Sequence, residues 1–240
     1  MSLYNDIFNR EFIKNYFSAA EFPANSVILD LGCGSLPFKP YYKNRFSKLI
    51  AADAEKRTDE EIVLVDAQKL PFSDSSFDCV LLTEVLEHIP SPVNCIKEVS
   101  RVLKPGGKLL LTVPFMHYLH EIPHDYHRFS EFRLQEMLSG EGLAIDLFKR
   151  RGNYLVINFA NFEYLTTWFQ SIFGRSGLVK PIRRALSSIS KVFFSAVYYP
   201  WIKYQLRTGN DLRIGDKLTG AGTLNGFVMG YCIVATKEAS

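Results

Sequence analysis

The sequence predicts an α/β protein: a mostly parallel sheet of seven strands, helices on both faces, and a helical insertion before the last strand. Three observations carry that prediction. Short, continuously apolar runs recur between residues 27 and 113, as strands buried on both faces require. A stretch with one apolar helical face separates two of those runs, and strands alternating with helices build a parallel sheet. Beyond residue 151 the runs give way to aromatic helical patterns until a last apolar run near the C-terminus.

The strand candidates in order are Val27–Leu31, Leu49–Ala52, Ile62–Val65, Phe77–Leu82, Lys108–Val113, Ala144–Phe148 and Phe227–Ala235. Between the fourth and fifth, Val93, Ile96, Val99, Val102 and Leu103 share one helical face. Pro105-Gly106-Gly107 then stops that helix. Residues 152 to about 222 read as an insertion of helices in one domain spanning 1–240, whose core covers about 22–150 and 223–237. No internal repeat or low-complexity tract interrupts the pattern.

Composition excludes several classes. Cys33, Cys79, Cys95 and Cys232 form no C-x-x-C pair, so they are expected to be reduced, as in a cytoplasmic protein. Asp6 and Glu11 break up the N-terminal apolar residues, which argues against a secretory signal. The net charge of +3 is unevenly spread: residues 150–207 carry nine Lys or Arg against Glu163, a net +8, leaving −5 elsewhere. Between Tyr154 and Tyr204 lie 13 of the 33 aromatic residues, both tryptophans among them. Aromatics interleaved with cations fit a helix lying on an anionic membrane surface. A lid over an acceptor, a helical cap with a solvated basic face and, less well, a nucleic-acid face are the competing readings. No RNA-binding motif accompanies the segment, and no DNA partner is expected.

The stretch Val27–Phe38, VILDLGCGSLPF, is a strand running into a glycine turn. Gly32 and Gly34 let backbone approach a ligand closely. A dinucleotide fingerprint would place a third glycine where Pro37 stands, and Pro37 removes an amide that a pyrophosphate would use. A cofactor presenting an amino-acid end fits better than a nicotinamide dinucleotide.

VILDLGCGSLPF, LIAADAEK, VDAQKLPFSDSSFDCVLLTEVLEHIPSP and LKPGGKLLLTVPF together resemble class I S-adenosylmethionine-dependent methyltransferases with a type 11-like domain. The resemblance covers about residues 22–150 and the last strand. It implies a Rossmann-like sheet and S-adenosyl-L-methionine as cofactor. It also implies that Asp30, Gly32 and Gly34 hold the methionine portion, Asp53 the ribose hydroxyls and Asp66 the adenine amino group. Family members often carry a further glycine where this chain has Leu36-Pro37, which tightens the loop.

Two constellations are candidates for chemistry. In TEVLEHIP, Glu84, Glu87 and His88 are spaced i, i+3, i+4, which puts them on one side of a helical turn. The pattern is similar to E-x-x-E-H of metal-dependent RNA 2′-O-methyltransferases. In other members the acid, here Glu84, and the histidine support the cofactor loop, and Glu84 is grouped with the cofactor residues; no metal is assigned. The second is FMHYLHEIPHDYHRFS, with His117, His120, His124 and His127. His124 with Asp125 is the expected acceptor-side base pair, since imidazole suits proton abstraction and a carboxylate would orient it. PHDYHRFS resembles a stretch of methyltransferases from surface-polysaccharide and glycolipid pathways, which implies O-methylation of a sugar, polysaccharide or lipid-linked acceptor. The rival readings are a metal-dependent RNA 2′-O-methyltransferase using Glu84, Glu87 and His88, and a catalytically silent cofactor-binding subunit.

Overall fold

Alternate side chains of a strand point to opposite faces of a sheet, and this chain fills both. In the strand Phe77–Thr83, Val80 and Leu82 pack into one apolar cluster while Cys79 and Leu81 pack into another. The computed structural model describes residues 3–151 and 228–239, together with 196, 200, 211 and 212.

The strands are β1 (Val27–Leu31), β2 (Lys48–Asp53), β3 (Val63–Leu64), β4 (Phe77–Thr83), β5 (Leu103–Pro114), β6 (Leu143–Arg151), β7 (Asp211–Leu212) and β8 (Gly230–Lys237). They lie in the order β3-β2-β1-β4-β5-β8-β6-β7. The first five are mutually parallel, and β8 runs antiparallel between β5 and β6. Among the described residues, β7 is an eighth, two-residue edge strand beside β6. The seven expected strands are all present.

Helices α3 (Pro92–Val102) and α4 (Glu131–Gly140) cover one face. Cys95, Ile96, Val99 and Val102 of α3 are wholly buried there beside Leu134 and Leu138 of α4. The Ser130 hydroxyl caps α4 by accepting from the Arg133 amide at 3.3 Å, a cap worth about 1 kcal/mol. The other face is covered by α1 (Leu3–Ala19), through Phe12, Ile13 and Phe17, and by Tyr42 at the end of α2 (Lys39–Tyr42). The fold thus begins ahead of the boundary expected near residue 22. The sequence pattern also misplaces one junction. β5 starts at Leu103 and takes in Pro105-Gly106-Gly107, because α3 ends a turn earlier and an irregular register between Phe77 and Cys79 accommodates the segment.

All four cysteines are free and buried. Among the described residues, no helix is long and apolar enough to cross a membrane. The insertion expected over 152–222, with its basic aromatic content, lies outside the described residues apart from positions 196, 200, 211 and 212.

Candidate active site

The parallel strands end on one side of the sheet, where open α/β folds place their ligands. There β1 stops at Leu31, and the Gly32 and Cys33 amides both donate to the Ala52 carbonyl of β2, at 2.7 and 3.1 Å. Gly32 takes φ +73°, and a Cβ on it would lie 2.2 Å from Cγ2 of Val85. Leu36, where the resemblance suggests glycine, also sits in the left-handed region at φ +59°. That conformation disfavours leucine by about 1–2 kcal/mol, offset by burial of its side chain against Cys33 and Ala51.

A cavity of about 910 Å³ opens over this loop, within the range of small-molecule sites. Asp30, Gly32, Gly34, Asp53, Asp66 and Glu84 all line it, as do His88, Glu121 and His124. The carboxylates are differently engaged. Asp53 accepts from the Gly34 amide at 2.8 Å and from the Glu55 amide at 3.2 Å, which leaves lone pairs on both oxygens. Asp66 is exposed and accepts from the Gln68 amide at 2.8 Å. Asp30 is buried and accepts from the Tyr42 hydroxyl beneath the loop. Burial pushes its carboxyl up to about 7, against the lowering effect of that hydrogen bond.

Glu84 follows β4 in a left-handed conformation, φ +53°, of the strained kind that concentrates at functional sites. Its side chain is buried and paired with Arg151 of β6, Oε1 to Nη1 at 2.9 Å and Oε2 to Nη2 at 3.2 Å, with the Thr112 hydroxyl donating at 2.9 Å. Burial opposes its ionisation, but the guanidinium outweighs burial and holds the carboxyl below the usual range. Arg151, 1% exposed, also donates to the Val113 carbonyl at 3.2 Å and to the Asn9 side chain. Gly230 leaves it room: a Cβ there would meet Arg151 Nη2 at 2.3 Å and the Val113 carbonyl at 2.4 Å. The sequence hides this pair, since its partners are 67 residues apart.

Glu84, Glu87 and His88 therefore do not converge as a ligand set. The short 3₁₀ turn Leu86–His88 sends Glu87 and His88 toward His120, while Glu84 is turned back to Arg151.

The histidine loop is tied to that turn. The Tyr126 and His127 amides donate to the Glu87 carbonyl at 2.9 and 3.2 Å, and His88 Nδ1 meets the His124 carbonyl at 2.7 Å. At the cavity mouth, Arg57 bridges to Glu121, Nη1 lying 3.2 Å from both carboxylate oxygens. His117 is held down to about 4 by burial, so it stays neutral. The expected pairing of His124 with Asp125 is not formed. Arg128 takes both Asp125 oxygens at 2.6 and 2.7 Å, and the His120 amide donates to one of them at 2.9 Å. Burial opposes ionisation of Asp125, but Arg128 overrides it and holds the carboxyl well below the usual range. The group on the exposed His124 ring is instead the Tyr126 hydroxyl, 2.9 Å from Nδ1. His124 closes a turn, its amide donating to the Glu121 carbonyl at 3.0 Å, and the guanidinium three residues on from Asp125 claims the acid.

Residues 29–111, about a third of the chain, match the methyltransferase domain family. Among solved structures, the YcgJ protein of Bacillus subtilis has a TM-score of 0.53 at 18% identity, over 96% of this chain and 99% of that one. Over residues 29–111 the chain is similar to a methyltransferase domain, and its fold is that of class I methyltransferases.

The chain is also similar to cycloartenol-C-24-methyltransferase 1 of Oryza sativa, 52% identical over 46 residues, 19% of this chain and 13% of that protein. The chain spans half or less of the length of such curated relatives. The cyclase SpnF has a TM-score of 0.57 at 18% identity, over 96% of this chain and 81% of that one; a fold does not by itself assign a reaction. S-adenosylmethionine is the cofactor of the methyltransferase domain family, and the residues present fit it. Gly34 leaves open space at the turn, Asp53 keeps accepting capacity for a diol, and Asp66 stands exposed in the cavity lining for an amino group. Because Asp53 also anchors the Gly34 amide, Asp53→Ala is expected to raise the Kd for S-adenosylmethionine at least about tenfold, the effect of losing a charge-assisted hydrogen bond. Isothermal titration checks this; unchanged affinity would exclude Asp53 from the cofactor site.

Proposed function

We propose that the chain methylates an oxygen of a sugar, polysaccharide or lipid-linked acceptor, with His124 as the acceptor-side base. The observation that carries this reading is one cavity lined by Gly32, Gly34, Asp53 and Asp66 together with His124. S-adenosylmethionine supplies a methyl group on an activated sulfonium. Asp53 and the glycine turn bind and orient the cofactor, and positioning accounts for much of the acceleration of such displacements. With its Nδ1 hydrogen donated to the Tyr126 hydroxyl oxygen, His124 would keep the Nε2 lone pair for the proton of an acceptor hydroxyl. Tyr118, Leu119, Ile122 and Tyr126 are exposed on the same loop, which supports an acceptor with an apolar portion. The cycloartenol in the rice relative's name supports an apolar acceptor, while the C-24 in that name gives carbon rather than oxygen as the methylated atom there. A membrane contact through 152–207 would bring a lipid-linked acceptor to this mouth; it rests on composition.

The test is transfer of labelled methyl from S-adenosylmethionine into lipid, polysaccharide and RNA fractions of an extract. Label is expected in the lipid or polysaccharide fraction. With that acceptor, His124→Asn should lower kcat by about 10²–10⁴-fold, the usual contribution of a general base, with cofactor affinity unchanged. Label confined to RNA would overturn the acceptor class, and cofactor binding without transfer to any fraction would favour a silent subunit.

A further inference from the structure

Glu87 is the least satisfied polar group near the cavity. It is 0% exposed, and neither carboxylate oxygen has a hydrogen-bond partner among the described residues. An ionised carboxylate left so would be strongly disfavoured. Two ring nitrogens face it, His88 Nε2 at 3.7 Å and His120 Nε2 at 3.8 Å. Both distances exceed a hydrogen bond.

Each ring is oriented by its other nitrogen. His88 Nδ1 lies 2.7 Å from the His124 carbonyl, which can only accept, so Nδ1 carries the hydrogen. His120 Nδ1 faces Asp125 Oδ2 at 3.2 Å and the Tyr118 carbonyl at 3.3 Å, again acceptors. In the neutral rings, the Nε2 lone pairs are therefore the ones turned to Glu87. One ligand atom from each of the three residues lies within 4.8 Å of the others.

We infer that Glu87, His88 and His120 form a binding site for a divalent transition-metal ion of the zinc class. Two imidazoles and one carboxylate are the donor set of open zinc sites and of other transition-metal sites. In a tetrahedral site with bonds near 2.0–2.1 Å the ligand atoms stand about 3.3 Å apart, so the 3.7 and 3.8 Å separations must close by about 0.5 Å, and the two imidazoles, whose ligand atoms lie within 4.8 Å, by up to about 1.5 Å. Imidazole ligands that donate their other N–H to a carbonyl or a carboxylate are the rule at such sites, and His88 and His120 show one of each. Three protein ligands leave a position of the ion open to water or to an oxygen ligand. His88 places the site on the wall of the cavity. The inference stands independently of the methyl-transfer reading.

The test is titration of the tag-free full chain with Co²⁺ followed by visible absorption, and with Zn²⁺ by calorimetry. One equivalent is expected to bind, with d–d bands of a four- or five-coordinate cobalt ion. Glu87→Gln and His120→Asn should each weaken binding at least tenfold, and Asp125→Asn about 10–100-fold, as for outer partners of metal-bound histidines. His124→Asn, whose ring is outside the cluster, should bind as the wild type does. Circular dichroism verifies the fold of each variant, and His120, on a loop, serves if Glu87→Gln fails to fold. No binding of either ion at 100 µM, as a chosen ceiling, would overturn the inference. So would binding that survives both ligand substitutions, or that falls equally with His124→Asn.

Discussion

Arg151→Met is expected to destabilise the protein by about 3–5 kcal/mol, the range for stripping one partner from a buried ion pair. At about 2–4 °C per kcal/mol for a chain of this size, Tm should fall by about 6–20 °C. The reason is that Glu84 would be left ionised and buried, with the Thr112 hydroxyl as its remaining donor. The cost also reaches the cavity. Glu84 holds a left-handed backbone at the end of β4 because its side chain is pinned from β5 and β6. Releasing the side chain frees that segment. The double variant Glu84→Gln/Arg151→Met should recover part of the loss, since it leaves no unpaired charge. Thermal melts of the two singles and the double measure the coupling. A fall in Tm below about 2 °C for Arg151→Met would show that the pair is not structural.

The second large effect is at the glycine turn. Gly32→Ala is expected to raise the Kd for S-adenosylmethionine well over tenfold and to lower Tm. The left-handed φ of +73° penalises alanine by about 1–2 kcal/mol. The new Cβ would also sit 2.2 Å from Val85 Cγ2, so the turn or the segment after β4 must move. Gly34→Ala is the comparison: its Cβ would meet no atom within 4 Å, which leaves only the same left-handed penalty of about 1–2 kcal/mol, at φ +53°. Titration calorimetry and thermal melts of the two variants should therefore separate clearly. Equal affinities for the two would remove the turn from the cofactor site.

Much of the fold was legible because burial on both faces writes continuous apolar runs. Val27–Leu31 is such a run, and its bounds coincide with β1. The end of α3 was less legible, since Pro105-Gly106-Gly107 suits a helix stop and a strand entry alike. The N-terminal helix α1 carries Phe12, Ile13 and Phe17 into the core, but its apolar residues lack the spacing of one clean stripe. In the site, the order of Asp30, Gly32, Gly34, Asp53 and Asp66 along the chain already matched their arrangement around one cavity. Each sits at or just past the end of a parallel strand, where sequence order and spatial order coincide.

Local spacing also determined that Glu87 and His88 share one turn and that four histidines share one loop. Which of these meet was decided by the tertiary structure alone. Glu84 went to Arg151, and His120 to Glu87 and His88. The physical reason is that a buried charge takes the nearest counter-charge that packing brings to it. For Glu84 that partner came from β6. Periodicity reports which face a residue occupies, not which distant element arrives opposite it.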